Sequence, residues 1–503
     1  MSSRMATIGA LTLALGLLTA APAEAATTYD YTVQNPYQSV DWSWTQYKAG
    51  LHNHTTESDG RNTVHEMITQ AYELGFNIFP LTDHNVVNET WVLPKAKKLS
   101  ERDKPNYYPT KEQADAFNAG AGRDGAPGMI EVPGSAEQSL GNHVNTFFTE
   151  TNLLASDLKH KISIIDAETS NPKPLQHINH PGRYYGGKNK EVVDGVDKGK
   201  EAATNPRNVK RYVDIFQSGF SSLVGMEIIN KKDGDSYSDR ILWDQILMQT
   251  MPERPVWGFS NDDAHSTDAL GYSYNQFLLP SLDLESFHSA MQSGAFYSTA
   301  LVAKRELGAD FRGDRTVPGP VISNIAVDQA ADTITITSPN ATKVEWVADG
   351  EVIATGNTLQ LDNVNNKVNN YVRAQVYNQN GISFTNPFGL TRVADAVPPT
   401  DPDQGNTTNP DQGNTTGPDQ GNTTDPDQGN TTNPTKPDQN VTPNKPDTGA
   451  NAEVKNSNTS TGGNANSSSA VVPLADTGAA PLALGAIAIV AVGAGVALRK
   501  PTK

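Results

Sequence analysis

The distribution of histidine is the sequence feature that most constrains how this chain folds. Seven of the ten histidines lie in five short polar clusters, and most of these clusters also contain Asp or Glu. The clusters are LHNHTTESDG, PLTDHN, GSAEQSLGNH, HINHPGR and NDDAH. Several of them follow a short apolar stretch, and α/β barrels and open α/β sheets place their sites at the carboxyl ends of such strands. The pattern therefore predicts an α/β fold whose strand ends surround one polar site.

One helix and its two flanking strands can be predicted in detail. Asn62 or Thr63 is a suitable N-cap for a helix that Gly75 ends, and the stretches YKAGLHNH and FNIFPL on either side predict strands. The apolar positions of the helix recur three or four residues apart, at Val64, Met67, Ile68, Ala71 and Leu74. In such a strand–helix–strand unit, the first two histidine clusters lie just beyond the ends of strands.

The spacing within the clusters suits metal ligation. His52 and His54 point to the same face of an extended strand, so both imidazoles can contact one ion, and Asp263 and His265 have the same spacing. Imidazole and carboxylate are typical ligands of zinc, iron and manganese, and sites with two or three such ions typically catalyse hydrolysis. A carboxylate such as Glu137 can bridge two cations. The nine predicted ligands are His52, His54, Asp59, His84, Glu137, His143, His180, Asp263 and His265, whereas His65, His160, His177 and His288 are predicted to be structural.

The order of these motifs is similar to that of the PHP (polymerase and histidinol phosphatase) superfamily, most of all its carbaryl-hydrolase-like branch. His-x-His, Asp-Gly, Thr-Asp-His, Gly…Glu…His, Asn-His-Pro and Asp-Ala-His follow one another within residues 45–305. The resemblance implies a distorted (β/α)7 barrel with two to three divalent zinc, manganese or iron ions at its carboxyl-terminal face. All nine predicted ligands match family ligand positions. Two departures leave rivals: Glu131 for Glu137, because PGSAE has one residue more than the family pattern, and Asp262 for Asp263.

The resemblance also implies a metal-dependent phosphoesterase that attacks small phosphomonoesters or phosphodiesters with a metal-activated hydroxide. Asp83 is the predicted group for orienting the site or transferring a proton, and Arg183 in HPGR is predicted to hold a phosphate or carboxylate during catalysis. Glu227 and Asn230, at the end of LVGMEIIN, are predicted as further substrate contacts. The alternatives are a hydrolase of carboxylic or carbamic esters and a catalytically inactive surface binding protein.

A second module is predicted after the metallohydrolase domain of residues 26–317. Residues 318–395 contain short alternating strands and the turn sequences Asp349-Gly350 and Asn380-Gly381, which predict a small immunoglobulin-like β-sandwich. Its predicted inward-facing residues are Ile334, Ile336, Val344, Trp346, Val372, Ala374 and Val376. The module contains no histidine, so a packing or spacer role is expected.

The net charge of −17 and the absence of cysteine limit the classes of partner and ligand. An acidic chain is poorly suited to bind nucleic acid or an acidic lipid surface. A small phosphorylated substrate is compatible with this charge, because bound cations reverse the local field. Disulfide bonds and thiolate ligands are excluded.

The two ends of the chain predict export and attachment to a cell wall. Residues 1–25 have the charge, apolar stretch and small-x-small site of a signal peptide. Residues 396–473 include four copies of PDQGNTT and predict a disordered linker.

Residues 474–503 join the motif LADTG to an apolar transmembrane stretch and a basic tail. This order resembles the sorting signal of Gram-positive surface proteins, with alanine in place of the common proline as in actinobacterial sequences. The resemblance implies that a sortase cleaves between Thr477 and Gly478 and joins the chain to peptidoglycan, so that the chain contacts the membrane only through this segment before sorting. A retained transmembrane anchor is the alternative.

Overall fold

The computed structural model describes residues 29–92, 106–152 and 155–394, which belong to one compact unit. The strands are β1 (Tyr29–Gln34), β2 (Gln46–Ala49), β3 (Ala136–Gln138), β4 (Val144–Phe147), β5 (Leu175–Ile178), β6 (Val192–Val193), β7 (Val196–Asp197), β8 (Leu223–Asn230), β9 (Trp257–Asn261), β10 (Ser273–Leu278), β11 (Phe296–Ala300), β12 (Asn324–Asp328), β13 (Thr333–Thr337), β14 (Lys343–Ala348), β15 (Glu351–Thr355), β16 (Thr358–Gln360), β17 (Tyr371–Asn378), β18 (Gly381–Thr385) and β19 (Phe388–Ala394). The α-helices are α1 (Val64–Glu73), α2 (Lys111–Asn118), α3 (Leu158–Asp166), α4 (Gly182–Tyr185), α5 (Lys198–Ala203), α6 (Pro206–Phe216), α7 (Asp239–Thr250), α8 (Leu284–Ser293) and α9 (Lys304–Leu307). Single 3-10 turns lie at Lys231–Asp233, Thr267–Ala269 and Leu361–Val364.

A five-stranded sheet of order β3-β4-β5-β8-β9 positions most of the polar clusters. Pairing is antiparallel from β3 to β5 and parallel from β5 to β9, so β3, β5, β8 and β9 end at the same edge. Every residue of β8 is buried, which explains the nearly continuous apolar run LVGMEIIN, because parallel strands are covered on both faces. Helix α7 packs on β8 and on α6.

The predicted helix after the first histidine pair is present as α1. Thr63 is its N-cap, and a capping box joins Thr63 to Glu66, which satisfies two free amides of the first turn. The apolar positions Val64, Met67, Ile68 and Ala71 are buried, as their spacing predicts, whereas Leu74 is the C-cap and only partly buried. The helix ends at Glu73, just before Gly75, whose φ of 77° lies in the left-handed region that glycine tolerates.

In the described residues, the strands do not close into the predicted distorted (β/α)7 barrel. Strand β2 pairs with β10 in a different, nine-stranded sheet, and only isolated bridges such as Ala49 to Ile78 and His84 to Glu137 link the intervening segments. The stretch FNIFPL is therefore extended but is not a continuous strand. Pro80 lacks an amide hydrogen, and the amide of Asn53 donates to the Thr82 hydroxyl instead of to a neighbouring strand.

Residues 324–394 form two antiparallel sheets that share a core, as expected for an immunoglobulin-like sandwich. All seven predicted inward-facing residues are buried. The predicted Asp349-Gly350 turn joins β14 to β15, with φ values of 51° and 78°. Strand β18 pairs with β11, and β19 pairs with β1, so hydrogen bonding continues across the predicted boundary between residues 317 and 318. That boundary stays a prediction.

The predictions for the two ends of the chain lie outside the described residues. They concern the signal peptide (1–25), the linker (396–473) and the sorting segment (474–503) with Thr477 and Gly478. Within residues 29–92, 106–152 and 155–394, no helix has both the length and the hydrophobicity that a membrane span requires.

Candidate metal centre

The nine predicted ligands lie together at the edge where β3, β5, β8 and β9 end. Their imidazole and carboxylate groups form four overlapping sets, and within each set the candidate ligand atoms lie within 4.8 Å of one another. The sets are His52 with Glu137 and His180; His52 with His54 and Asp263; His84 with Glu137 and His143; and His54 with Asp59, His84 and His265. The structure thus brings every predicted ligand into one cluster, and metal binding by that cluster stays a prediction.

Glu137 occupies the centre of the cluster. It is the middle residue of β3 and is fully buried. The distances from its Oε1 are 3.2 Å to His52 Nε2, 2.9 Å to His143 Nδ1 and 3.3 Å to His180 Nε2, and those from its Oε2 are 3.4 Å to His54 Nε2 and 2.8 Å to His84 Nδ1. A carboxylate whose two oxygens face different imidazoles is placed to bridge two cations.

Two further carboxylates flank Glu137. Asp263 Oδ1 lies 3.1 Å from His54 Nε2, and its side chain is only 3% exposed. Asp59 Oδ2 lies 3.3 Å from His265 Nε2 and 3.5 Å from His84 Nε2, and its side chain is 53% exposed. The Asp263 carboxylate is therefore buried, whereas the Asp59 carboxylate is open to solvent.

The residues fit divalent transition metals. His52 Nε2, His54 Nε2, His84 Nδ1 and Glu137 Oε2 are buried and have no hydrogen-bond partner among the described residues, although they lie close to one another. Buried polar atoms without partners are rare because they cost free energy. Short distances without hydrogen-bond geometry are expected when lone pairs converge on a shared ion, and imidazole and carboxylate are the ligands of zinc, manganese and iron.

Charge pairing dominates the electrostatics of the cluster. Burial alone disfavours a protonated His52, but the carboxylates of Glu137, Asp263 and Glu227 outweigh it and hold the pKa of His52 well above its ordinary value. Burial opposes ionisation of Glu137 as well, yet the surrounding imidazoles, His52 first, hold its pKa well below the ordinary value. For His54, burial prevails and lowers the pKa. Since imidazole must be neutral to ligate, a cation bound here would displace protons from this cluster.

Glu227 positions His52. It is fully buried in β8, and its Oε1 lies 2.7 Å from His52 Nδ1. The same oxygen accepts a hydrogen bond from Asn261 Nδ2 (2.9 Å), while Oε2 accepts from Asn230 Nδ2 and from the His180 amide, both at 2.8 Å. A carboxylate that accepts from Nδ1 fixes the proton there and leaves the Nε2 lone pair facing the cluster.

Two residues that the sequence pattern does not identify support Glu137 and the loop that follows it. Asn179 donates from Nδ2 to Glu137 Oε1 at 2.8 Å, and its place in Asn-His-Pro was the available signal. Lys161, on α3, is fully buried and donates from Nζ to the carbonyl oxygens of residues 138, 140 and 142 at 2.6, 2.8 and 2.7 Å. This ammonium therefore fixes the loop that joins Glu137 to His143.

Asp83, the predicted proton-transfer or orienting residue, holds the segment that leads to Asp59. It is fully buried, and its Oδ1 accepts hydrogen bonds from the Thr55 amide and the Ser58 hydroxyl, each at 2.7 Å. These contacts favour an orienting role, because the Asp83 carboxylate is already occupied by donors of the chain.

The two rival carboxylates lie outside the cluster. Asp262 accepts hydrogen bonds from the amides of residues 271, 272 and 273, so it anchors the turn before β10. Burial raises the pKa of Asp262 to about 7. Glu131 accepts from the Trp91 amide at 2.6 Å and from the Thr90 hydroxyl at 3.0 Å. The geometry thus favours Asp263 and Glu137 as the candidate ligands.

The predicted substrate contacts have different surroundings. Arg183 lies on α4, three residues after His180, and is exposed. Its side chain forms no hydrogen bond or ion pair with the part of the chain that the structure describes, so it is free to contact a ligand. Glu227 and Asn230 are fully buried and bonded to each other. Their assignment as substrate contacts stays a prediction. Their burial and the hydrogen bond between them favour a role in positioning other residues instead.

The histidines predicted to be structural belong to none of the four sets. His177 is buried and stacks on Phe259 with ring centroids 4.6 Å apart, and burial lowers its pKa to about 4. His288 contacts the Lys173 carbonyl oxygen through Nε2 at 2.8 Å.

Comparison with known proteins gives partial likenesses only. No protein-family model matches the chain, and no curated protein matches it. Among solved structures, it is similar to a two-domain protein from Bacteroides vulgatus ATCC 8482 described as containing a predicted PHP-like metal-dependent phosphoesterase, with a TM-score of 0.34 and 13% identity over 70% of this chain and 88% of that one. It is also similar to PfuEndoQ, a lesion-specific endonuclease from Pyrococcus furiosus, with a TM-score of 0.28 and 15% identity over 49% of this chain and 56% of that one. At these TM-scores a functional conclusion depends on the histidine and carboxylate cluster of this chain alone.

Proposed function

We propose that this chain is a metal-dependent phosphoesterase that hydrolyses small phosphate esters. One observation carries the proposal: six imidazoles and three carboxylates form four overlapping sets, two of which share the buried Glu137, and several of their buried atoms have no partner among the described residues. Single unpartnered buried atoms also occur elsewhere in the described residues, as at His177, so it is the convergence of several imidazole and carboxylate lone pairs at one place that favours a metal site. A cluster of this size suits more than one cation.

The four overlapping sets offer places for up to three cations. His52, His54 and Asp263 would hold the first; Glu137 with His52 and His180, or with His84 and His143, would hold the second; and His54, Asp59, His84 and His265 would hold the third. When bound, divalent cations lower the pKa of coordinated water and offset the negative charge that develops on a phosphoryl group. The phosphate ester enters from the side of Asp59, the exposed carboxylate of the cluster.

The chain's own residues prepare this chemistry in two ways. Glu227 and Asn179 fix the orientation of His52 and Glu137 through hydrogen bonds at 2.7 and 2.8 Å, so the ligand atoms need not reorganise. Arg183, exposed beside His180, is free to hold a non-bridging phosphate oxygen.

The test is hydrolysis by the purified full chain of p-nitrophenyl phosphate, bis(p-nitrophenyl) phosphate and p-nitrophenyl acetate. Each substrate is assayed with manganese, zinc or iron and after removal of metal by a chelator. We expect cation-dependent release of p-nitrophenol from a phosphate ester and two to three ions per chain by elemental analysis. Asp263→Asn should lose both the hydrolysis and the bound ions. Glu131→Gln, a carboxyl change outside the cluster, is the matched control and should retain activity.

Other outcomes would replace the proposal. Cation-dependent hydrolysis of the carboxylic ester alone would make the chain an esterase of carboxylic or carbamic esters. Turnover of none of the substrates, with fewer than one ion per chain, would leave a surface binding protein without catalysis.

We further propose that the chain is exported and attached to the cell wall of a Gram-positive, actinobacterial cell. Its support is the signal-like residues 1–25 and the order of LADTG, apolar stretch and basic tail in residues 474–503. Deleting residues 474–503 should release the protein into the medium, whereas Thr477→Ala should leave it membrane-bound and free of peptidoglycan. Equal wall attachment of Thr477→Ala and the wild type would contradict sortase processing.

A further inference from the structure

A small cavity opens beside the metal cluster. Its volume is about 210 Å³, and Asp263 and His265 of the cluster form part of its lining. Three basic residues line it as well, Arg61, Lys231 and Lys232, and these three are called the cationic wall. The cavity thus places three positive charges next to two candidate ligands.

The acidic residues of the cavity are already engaged. Asp262 accepts hydrogen bonds from backbone amides, including those of Tyr272 at 3.1 Å and Ser273 at 2.8 Å. Asp263 faces the imidazoles of the cluster. Asp268 accepts a hydrogen bond from a neighbouring serine hydroxyl. Two of these carboxylates also face the cationic wall, because Asp263 lies 3.7 Å from Lys231 Nζ and Asp268 lies close enough to Arg61 and Lys232 to interact with their charges.

The basic side chains are less engaged. Arg61 is exposed, and across residues 29–92, 106–152 and 155–394 its guanidinium forms no hydrogen bond or ion pair, while its amide donates to the His265 carbonyl at 2.8 Å. Lys232 Nζ lies 4.8 Å from the centre of the Tyr272 ring. Lys231 Nζ lies 3.7 Å from Asp263 Oδ2, and its side chain is 45% exposed. Arg61 and Lys232 therefore keep donors available for an anion in the cavity.

An unusual backbone presents the two lysines. Lys231, Lys232 and Asp233 have consecutive φ values of 51°, 53° and 53°, a region that residues other than glycine rarely adopt. The Asp233 carboxylate holds this turn, because it bonds to Arg240 Nη1 and Nη2 at 2.7 and 3.0 Å and to the Lys304 amide at 2.8 Å. Strained backbone of this kind persists only where the surroundings fix it, and it is concentrated at functional sites.

We propose that the cationic wall binds the phosphoryl group of the substrate and makes the site selective for phosphomonoesters over phosphodiesters. This inference rests on the proposed phosphoesterase function. A phosphomonoester carries close to two negative charges at neutral pH, and a diester carries one, so three adjacent cations favour the monoester. Arginine and lysine donate charge-assisted hydrogen bonds to phosphate oxygens, and the diester has one fewer oxygen to accept them. Its second substituent must also fit beside a cavity of about 210 Å³.

The test compares Arg61→Ala, Lys232→Ala and the double variant Lys231→Ala/Lys232→Ala in the metal-loaded full chain. Each lost contact should raise KM for p-nitrophenyl phosphate about tenfold or more, as expected for a charge-assisted hydrogen bond, and should change kcat less. The ratio of kcat/KM for p-nitrophenyl phosphate to that for bis(p-nitrophenyl) phosphate should fall. Binding of inorganic phosphate, measured by calorimetry, should weaken about tenfold in parallel. Lys232→Arg should retain the wild-type ratio.

The matched control is Lys111→Ala/Lys210→Ala. It removes two lysines from exposed pairs on α2 and α6, with the same loss of net charge. Wild-type KM and phosphate affinity in Arg61→Ala and Lys232→Ala, neither of which removes a contact to a candidate ligand side chain, would overturn the wall while leaving the phosphoesterase intact. An equal loss in the control would also overturn it, since net charge would then be sufficient. If the wild type hydrolysed neither phosphate ester, the proposed function would fail, and phosphate calorimetry would still decide whether the wall binds the anion.

Discussion

The Glu227 carboxylate offers the sharpest test of how the cluster is oriented. It accepts from four donors, two at each oxygen: His52 Nδ1 and Asn261 Nδ2 at Oε1, and Asn230 Nδ2 and the His180 amide at Oε2. In Glu227→Gln, an amide group replaces one oxygen, so at least one pair of donors faces a donor. The variant keeps the size of the side chain and removes its charge.

The size of the effect follows from the contacts. If the amide faces His52, the imidazole loses the acceptor that fixes its proton on Nδ1, and if it faces His180, the backbone before a second ligand shifts. A hydrogen bond to a charged group contributes about 1.5–3 kcal/mol, which corresponds to roughly a 10- to 150-fold change in an equilibrium constant. Changes to groups that orient metal ligands typically cost about 10- to 100-fold in metal affinity, in agreement with this range.

The assay is competition for zinc between the protein and a chromophoric chelator. We expect the weakest-binding ion of Glu227→Gln to dissociate at a zinc concentration at least about tenfold higher than in the wild type. Glu131→Gln is the control, because it changes a partly buried carboxylate that hydrogen-bonds outside the cluster. Equal zinc affinity of Glu227→Gln and wild type, with the fold intact by circular dichroism, would refute the view that Glu227 sets the His52 tautomer.

Three further predictions concern two supports of the cluster and the pH dependence of folding stability. Lys161→Met removes three hydrogen bonds to the loop 138–142 and should lower the free energy of unfolding by about 2–4 kcal/mol in urea denaturation, and an unchanged midpoint would contradict this. Burial raises the pKa of Asp239 from 3.8 to about 8, so the folded state retains a proton that the unfolded state releases at lower pH. Wild-type stability should therefore fall relative to Asp239→Asn as the pH rises from about 4 to 8, by up to about 1.4 kcal/mol per pH unit, and a pH-independent difference in urea denaturation would argue against it. Asp83→Asn should loosen the segment before Asp59 and lose one ion in elemental analysis, whereas retention of all ions would show that this support is dispensable.

The sequence predicts those parts of the fold that depend on local patterns. Helix α1 follows from its apolar spacing and its cap, and β8 follows from an uninterrupted apolar run. The pairing of β11 with β18 could not be predicted in this way, because it joins residues about 85 positions apart and depends on tertiary packing. The predicted closed barrel failed for a related reason. Around Pro80 the chain is extended, but its backbone groups bond to side chains as well as to neighbouring strands.

The candidate ligands were predictable because spacing and residue type both constrain them. Their supports were harder to identify, since these are ordinary polar residues whose role depends on what they contact. Lys161 lies in the sequence LKHKISIID beside Lys159, and nothing local separates the buried lysine from the exposed one. The sequence predicts Glu227 at the correct strand end. Whether its side chain faces substrate or His52 could not be predicted, because His52 lies 175 positions away in the sequence.

The candidate ligands and the residues that support them have different roles, and this difference has a consequence. The ligands meet at one edge of the five-stranded sheet, where a change of residue alters which ion is held. Glu227, Asn179 and Lys161 are buried behind them, with side chains that bond the ligands or the loop between them. Changes to the supports should therefore weaken binding of every candidate cation in the same direction, because they alter orientation and not ligand identity. Parallel losses for zinc and manganese in Glu227→Gln would support this division, and a selective loss of one metal would show that Glu227 also determines which ion the cluster prefers.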